Sequence, residues 1–306
     1  MPPKTRPTFT SLFAGVGGFD LGLEAAGFDC VAQVEWDAQC QSVLRHRWPD
    51  VPKWGDIHDV RGSDLPASDV IAFGSPCQDL SLAGTRRGFD GDKSSTFFEA
   101  IRIIGEMLNG SNGAVPRAAI WENVRSAIRT NHGRDFGAAL NALAGIGALV
   151  IEWCVVDAAW WLPQKRSRIF VVAIFDPRAA ARCPEQLFPV EPGRYWHHPS
   201  DERTMGFYYT HGKQDVPAVN AIPTLKVATG VGIPSPCCIV GETRRPRKLT
   251  PRECERAMGW PDDHTRWADD GTELPVAARY KMCGNGVASP TAQWVGEQLL
   301  PLLTDD

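Results

Sequence analysis

The sequence has no apolar run of the roughly 18–20 residues that a membrane-spanning helix requires, so it offers no candidate for one. Its opening residues, Met-Pro-Pro-Lys-Thr-Arg-Pro-Thr-Phe, contain no hydrophobic stretch of the secretory type, and no signal peptide is expected. There is no Cys-x-x-Cys pair: nine cysteines stand at 30, 40, 77, 154, 183, 237, 238, 254 and 283. An odd count at wide spacing argues against a disulfide framework and against structural zinc. A reduced, cytoplasmic protein with no metal site is expected. Nor is there a general excess of positive charge, because Lys+Arg 32 against Asp+Glu 36 gives −4. A strongly basic chain would announce a nucleic-acid partner at once; this one does not. Internal repeats and long low-complexity tracts are also missing, and disordered, collagen-like and coiled-coil classes fit the composition poorly.

What is present is a 43% hydrophobic chain of 306 residues, enough for one large domain with a smaller partner. The charge is unevenly spread. Residues 1–176 carry 17 basic and 20 acidic side chains, residues 177–257 carry 12 and 8, and residues 258–306 carry 3 and 8. A basic middle between two acidic parts is a first sign of a surface facing a polyanion.

The order of elements predicts an α/β protein. Residues 8–13 read as a strand, Ala14-Gly15-Val16-Gly17-Gly18 as a tight turn, 19–26 as a helix and 31–34 as a second strand. This is the βαβ opening of a parallel sheet. Asp37 is placed to cap a helix over 38–47. Further strands are predicted at 69–73 and 118–121, and helices at 97–108 and 136–143. Strands at 149–156 and 168–174 are expected to pair as a hairpin at the sheet edge. Residues 177–247, rich in Pro, Gly, Thr, Tyr and His, predict a small irregular domain of short strands and loops. Thr250-Pro251-Arg252-Glu253 has the capping-box pattern of a helix over 249–258, and a last amphipathic helix begins near Ser289-Pro290.

In open α/β sheets, ligands sit beyond the carboxyl ends of the strands, and unusual residues gather at those ends here. Glu35 can accept from both hydroxyls of a ribose, and Asp56 from an adenine amino group. The turn reads Gly15-x-Gly17-Gly18 instead of the dinucleotide fingerprint, which favours an adenosine cofactor without a pyrophosphate. Cys77, after Gly74-Ser75-Pro76, is either a buried structural thiol or a nucleophile in a loop. Glu122, closing a neighbouring strand, is either a capping carboxylate or a general acid. Arg166 and Arg168 alternate onto one strand face, where they can hold phosphate, carboxylate or carbonyl oxygen.

Together these residues resemble the S-adenosylmethionine-dependent DNA (cytosine-5)-methyltransferases, with motifs in family order over residues 13–287. The resemblance implies cofactor contacts at Phe13, Ala14, Gly15, Gly17, Gly18, Glu35, Trp36, Asp56, Ile57, Pro76, Asn285 and Val287. It implies Cys77 of Gly-Ser-Pro-Cys-Gln-Asp-Leu-Ser as the nucleophile, Glu122 of Glu-Asn-Val as the acid, and Arg166 and Arg168 of Gln-x-Arg-x-Arg as their companions. DNA contacts are expected from Gln78, Ser81, Arg86, Arg87, Lys93, Lys226, Arg244, Arg245 and Arg247. The pattern departs from the family at Thr96, where a bulky apolar cofactor contact is usual: either Phe97 fills that role one position on, or the adenosine is packed more loosely.

The implied fold is a doubly wound, mostly parallel sheet with a smaller target-recognition domain. Residues 1–176 and 275–306 would be the catalytic, cofactor-binding part and 177–274 the recognition part. The implied reaction moves a methyl group from S-adenosylmethionine to C5 of a flipped-out cytosine in duplex DNA through a Cys–C6 adduct, leaving S-adenosylhomocysteine. A monomer, no membrane association and a cognate restriction endonuclease as a candidate partner go with that reading. The short recognition region resembles those of phage or prophage members. Two alternatives stand beside it: a cytosine-5 methyltransferase of RNA, and a catalytically silent DNA-binding homologue.

Overall fold

In the computed structural model, described for residues 6–75, 96–111, 115–189, 206–209, 218–219, 222, 224–225, 236–239 and 246–304, the chain opens as its sequence predicts. Strand β1 (Thr8–Leu12) leads through the glycine turn into helix α1 (Gly18–Ala26) and strand β2 (Asp29–Val34). Helix α2 (Ala38–Arg47) follows, capped by the Asp37 carboxylate, which accepts from the amides of Gln39 at 3.0 Å and Cys40 at 3.2 Å. Such a cap contributes about 1 kcal/mol. Then come β3 (Lys53–Trp54), β4 (Val70–Gly74), α3 (Thr96–Gly110), β5 (Ala118–Val124), α4 (Arg134–Gly145), β6 (Val150–Asp157), β7 (Ser167–Ile174) and α5 (Pro177–Arg182).

These strands form a seven-stranded sheet in the order β3-β2-β1-β4-β5-β7-β6. The pairs from β3 to β5 are parallel, whereas β7 runs antiparallel between β5 and β6. The expected edge hairpin is therefore present. The strand order reverses beside β1, the position where doubly wound sheets open a ligand crevice.

The central strands are apolar on both faces because helices cover both faces. On one side Leu12, Ile71, Phe73, Trp121 and Val171 pack against Phe97, Ile104, Phe136 and Leu143 of α3 and α4. On the other, Phe9, Val70, Ala72, Ile120, Phe170 and Val172 meet Leu23 of α1 and Val295 and Leu299 of the last helix. Each such side chain contributes roughly 1.5–3 kcal/mol on burial. Phe97 belongs to this core, its ring 4.8 Å from that of Trp121.

Beyond α5, strands β8 (Gly206–Tyr209), β9 (Ala218–Val219), β10 (Pro236–Ile239) and β11 (Pro246–Lys248) make a small antiparallel sheet in the order β11-β10-β8-β9. Helix α6 (Pro251–Ala257) has the expected Thr250–Glu253 capping box. Helices α7 (Val276–Asn285) and α8 (Ser289–Leu303) complete the fold. A third apolar cluster joins Val16 and Val43 to Leu249, Met258, Trp260, Leu274 and Met282, which packs the segment after β11 onto the first third of the chain. Among the described residues no helix is long and apolar enough to cross a membrane.

Two helices depart from the sequence reading. The segment after Asp176 begins with α5, whose first turn is capped by the Asp176 carboxylate at 3.0 Å from the Arg178 amide. Helix α7 lies where only a connection was expected; its weak amphipathic pattern hides it, and Ala278, Met282 and Cys283 bury its inner side.

Candidate active site

The turn after β1 is a backbone structure first. Phe13 has φ 54, Gly15 φ 57 and Gly17 φ 84, so three of five residues occupy the left-handed region. For Phe13 that conformation is strained, a condition that clusters at ligand sites. At Gly17 any Cβ would run into the Trp48 ring at 2.3 Å, and at Gly18 into the Val287 carbonyl oxygen at 2.4 Å. At Gly15 it would meet nothing within 4 Å, so the turn borders open space.

The Glu35 carboxylate, at the end of β2, accepts from the Gly15 amide at 2.7 Å and the Asp37 amide at 2.8 Å. Burial pushes its carboxyl up, and the two amide bonds oppose that shift. Each oxygen keeps a lone pair for a further donor. Trp36 is 72% exposed beside it, an unusual position for the largest apolar side chain. Asp56 ends the next connection, exposed, with the His58 amide at 3.0 Å holding its carboxyl below the ordinary range. Ile57 beside it is buried. A turn bordering open space, a fixed carboxylate, a free indole face and an exposed aspartate fit a nucleoside with vicinal hydroxyls.

The second constellation lies at the ends of β4, β5 and β7. Glu122 pairs in register with Gly74 of β4, and its carboxylate lies close enough that a Cβ at Gly74 would stand 3.2 Å from Oε2. Arg168 Nε donates to Glu122 Oε1 at 2.9 Å. Glu122 is 8% exposed. Burial pushes its carboxyl up, and Arg168 and then Arg166 pull it back. On the other face of β5, Trp121 Nε1 donates to Ser75 Oγ at 3.1 Å and Asn123 Nδ2 to the Ser75 carbonyl at 3.1 Å. Asn123 Oδ1 in turn accepts from the Val124 amide at 2.8 Å. The chain is thus anchored two residues before Cys77.

Arg166 turns elsewhere. It is 2% exposed and donates to the carbonyls of Leu225 at 3.1 Å, Gly284 at 3.1 Å and Gly286 at 2.7 Å. Gln164, also buried, donates to the Ala257 carbonyl at 2.6 Å and accepts from the Leu225 amide at 3.2 Å. The segment containing Asn285 and Val287 closes over the glycine turn. Ser289 Oγ donates to the Gly18 carbonyl at 3.0 Å, Trp260 Nε1 to the Val287 carbonyl at 3.1 Å, and His264 Nε2 lies 2.6 Å from the Val16 carbonyl. His264 is 1% exposed between the rings of Trp48 and Trp260. Burial lowers its pKa to about 4, so the neutral ring donates. Sequence reasoning missed Trp48, His264 and Trp260 as builders of this turn, because their contacts are long-range.

Of the other residues singled out, Arg247 is exposed and forms a two-pronged pair with Glu253 at 2.6 and 2.8 Å. Pro76, Cys77, Gln78, Ser81, Arg86, Arg87, Lys93, Lys226, Arg244 and Arg245 lie outside the described residues. Among the described residues no group of three or more His, Cys, Asp or Glu could hold a metal ion. The described cysteines, 30, 40, 154, 183, 254 and 283, all have thiols pushed up by burial, Cys154 and Cys254 to about 12.

The C-5 cytosine-specific DNA methylase family model matches residues 7–195 and 197–300. Type II methyltransferase M2.BsuMI of Bacillus subtilis (strain 168) is 31% identical over 94% of this chain and 74% of its own length. Type II methyltransferase M.HpaII of Haemophilus parainfluenzae is 29% identical over 98% of this chain and 93% of its own. Among solved structures, the S. pombe Dnmt2 methyltransferase superposes with a TM-score of 0.70 at 16% identity, covering 97% of this chain and 100% of that one. A putative DNA modification methyltransferase from an E. coli prophage gives 0.63 at 19% identity, covering 97% and 99%. Those two share the fold. With a family match running almost end to end, over the very turn and strand ends just described, the chain belongs to the C-5 cytosine-specific DNA methylases, enzymes that move a methyl group from S-adenosylmethionine to C5 of cytosine.

Proposed function

We propose that the enzyme methylates cytosine in a specific sequence of double-stranded DNA, with Cys77 as nucleophile, Glu122 as acid and Arg168 as the group that orients it. What carries this reading is the buried Glu122–Arg168 pair at the strand ends, 2.9 Å apart, beside the anchored Ser75 that leads to Cys77. Burial raises the thiols of Cys154 and Cys254, which makes them poor nucleophiles. The duplex substrate is supported by the Type II methyltransferases among its relatives and by a separate region for reading a target.

Cytosine C5 is a weak nucleophile. The Cys77 thiolate adds to C6 while Glu122 gives its proton to N3, so the C5=C6 electron pair becomes available at C5. Burial, which pushes the Glu122 carboxyl up against the pull of Arg168, favours the protonated form that this donation needs. S-adenosylmethionine, when bound, supplies one electrophilic methyl to C5. A base then takes the C5 proton through water, C5=C6 re-forms, the C6–S bond breaks with its pair returning to Cys77, and N3 returns its proton to Glu122. Arg168 holds Glu122 in place, and we assign it the cytosine O2 as well. The base must leave the stack for C6 to be reached, at a cost of a few kcal/mol.

The residues to hold the cofactor are Glu35 for the ribose, Trp36 and Ile57 around the adenine, Asp56 for its amino group and the turn Phe13, Ala14, Gly15, Gly17 and Gly18. Pro76, Asn285 and Val287 complete the set. Contacts to DNA are assigned to Gln78, Ser81, Arg86, Arg87, Lys93, Lys226, Arg244, Arg245 and Arg247. Residues 1–176 and 275–306 form the catalytic part and 177–274 the recognition part, of which 249–274 also packs on the catalytic core. The enzyme acts as a cytoplasmic monomer, and a cognate restriction endonuclease is its fitting partner.

Transfer of labelled methyl to duplex DNA and to tRNA tests the substrate, and bisulfite sequencing of plasmid from expressing cells reads the site. Cys77→Ser should abolish methylation while duplex binding stays measurable. Near-normal methylation by that variant would refute the nucleophile, and transfer to tRNA alone would refute the duplex.

A further inference from the structure

The residues that follow Glu122-Asn123-Val124 carry an unassigned cationic surface. Arg125–Gly133 is a 3-10 segment starting at the end of β5, and it opens into α4 at Arg134. Ala127 is buried beneath it and ties it to the core. Arg125, Arg129 and Arg134 all point out to solvent. The chain kinks between them, with Asn131 at φ 50, His132 at φ 58 and Gly133 at φ 83. Two non-glycine residues in the left-handed region are costly, at roughly 1–3 kcal/mol each. The flanking carboxylates are engaged elsewhere: Glu122 is buried against Arg168, and Asp135 is buried and bonded to Asn131.

Exposed arginines without an ion pair also occur singly among the described residues, at Arg61 and Arg178, but only here do three lie within ten residues. The exposed or half-exposed arginines 45, 247, 252, 256 and 266 are each paired with a carboxylate: Asp269, Glu253, Asp263, Asp262 and Glu273. Among the described residues Arg125, Arg129 and Arg134 have no ion pair or side-chain hydrogen bond. Three unneutralised guanidinium groups within ten residues repel one another, a cost that a polyanion removes. Their place narrows the polyanion. The segment begins two residues after Asn123, at the same sheet edge as Glu122 and Arg168.

We propose that Arg125, Arg129 and Arg134 form a phosphate-binding ridge that grips the backbone of duplex DNA beside the target cytosine. This rests on the duplex-DNA reading above. Guanidinium suits phosphate because its donors form a planar fork. Phosphate contacts carry no sequence information, but they fix the register in which a base meets the site. The ridge thus sets how the duplex lies over Glu122, independently of the region that reads its sequence.

The test is the salt dependence of binding by the full chain to a fluorescein-labelled 30-base-pair duplex of mixed sequence, read by anisotropy. Each phosphate contact contributes about −0.9 to the slope of log K against log salt. Replacing Arg125, Arg129 and Arg134 together by Gln should make the slope shallower by about 2–3, each single variant by about 0.9, and the triple Arg→Lys variant should restore most of it. Arg178→Gln supplies the control: it removes one exposed charge on α5, which follows β7 at the opposite edge of the sheet, and should leave the slope unchanged. An unchanged slope in the triple Gln variant, with wild-type binding intact, overturns the ridge alone. A wild-type enzyme that methylates no duplex overturns the reading beneath it. A slope change on tRNA but none on the duplex transfers the ridge to the wrong partner and overturns it as stated.

Discussion

Replacing Arg168 by Met should make the stability of this enzyme fall with rising pH more steeply than that of the wild type. The Glu122 carboxylate is 8% exposed and its one described ion-pair partner is Arg168 Nε, 2.9 Å away. Breaking a buried pair by removing one member typically costs 3–5 kcal/mol, because a charge is left uncompensated. That cost applies only while Glu122 is ionised. Its carboxyl is already pushed up by burial and pulled back by Arg168, so without the guanidinium it rises further. The sign follows from proton binding. Above the unfolded value near 4.3, the unfolded chain has released a proton that the native chain still holds, so stability drops as pH rises, at most about 1.4 kcal/mol per pH unit. In wild type the pair limits that loss. In Arg168→Met the loss should continue through neutrality, so the variant lies near wild type at pH 5 and about 3–4 kcal/mol below it by pH 8. Urea unfolding at four pH values between 5 and 8 measures this. The double variant Glu122→Gln/Arg168→Met should show no such pH term. Parallel curves for wild type and Arg168→Met would refute the reasoning, since they would mean that Glu122 does not depend on Arg168 for its charge.

Two further outcomes follow from the glycine turn after β1. His264 is buried with its pKa lowered to about 4; between there and about 6.5 the unfolded chain takes up a proton that the native chain refuses, so stability is lost on acidification, by about 3 kcal/mol in all. His264→Phe should remove that acid sensitivity in thermal unfolding while costing about 1–3 kcal/mol at pH 7 for the orphaned Val16 carbonyl; an unchanged pH profile would count against it. Gly18→Ala would set a methyl 2.4 Å from the Val287 carbonyl oxygen and 3.0 Å from its amide nitrogen. Both are backbone atoms with little room to move, so the variant should melt lower and bind S-adenosylmethionine at least tenfold more weakly by calorimetry, whereas full affinity would show that the segment after α7 yields.

Much of this fold is written in local signals, and those were readable. The Thr8–Leu12 strand, the glycine turn, the Asp37 cap and the Thr250–Glu253 box each need only neighbours in sequence. The edge hairpin was readable because two apolar runs flank a polar link. Helix α7 was not, since its inner residues are held by partners from Val16 to Trp260 that no short window contains. The same distinction separates the site residues. Glu122 and Arg168 stand at strand ends, where sequence position implies placement, and the register of β5 on β7 brings them together. Arg125, Arg129 and Arg134 were passed over because sequence alone does not tell an arginine paired with a carboxylate from one that is not.

Arg166 illustrates the further step from position to role. It stands just before β7, two residues from Arg168, yet its guanidinium joins Leu225, between β9 and β10, to Gly284 and Gly286, just before the residue that lies on Gly18. Three carbonyls depend on one side chain, and hydrogen bonds to a charged donor contribute about 1.5–3 kcal/mol each. Removing it would loosen the segment around Leu225, the end of α7 and the glycine turn together. Loss of activity on Arg166→Ala is therefore the result expected of a structural tie as much as of a chemical group. Arg168, whose Nε reaches the Glu122 carboxylate and whose Nη1 donates to the Ser167 carbonyl at 3.0 Å, is the arginine at which a pH-resolved measurement isolates chemistry from folding.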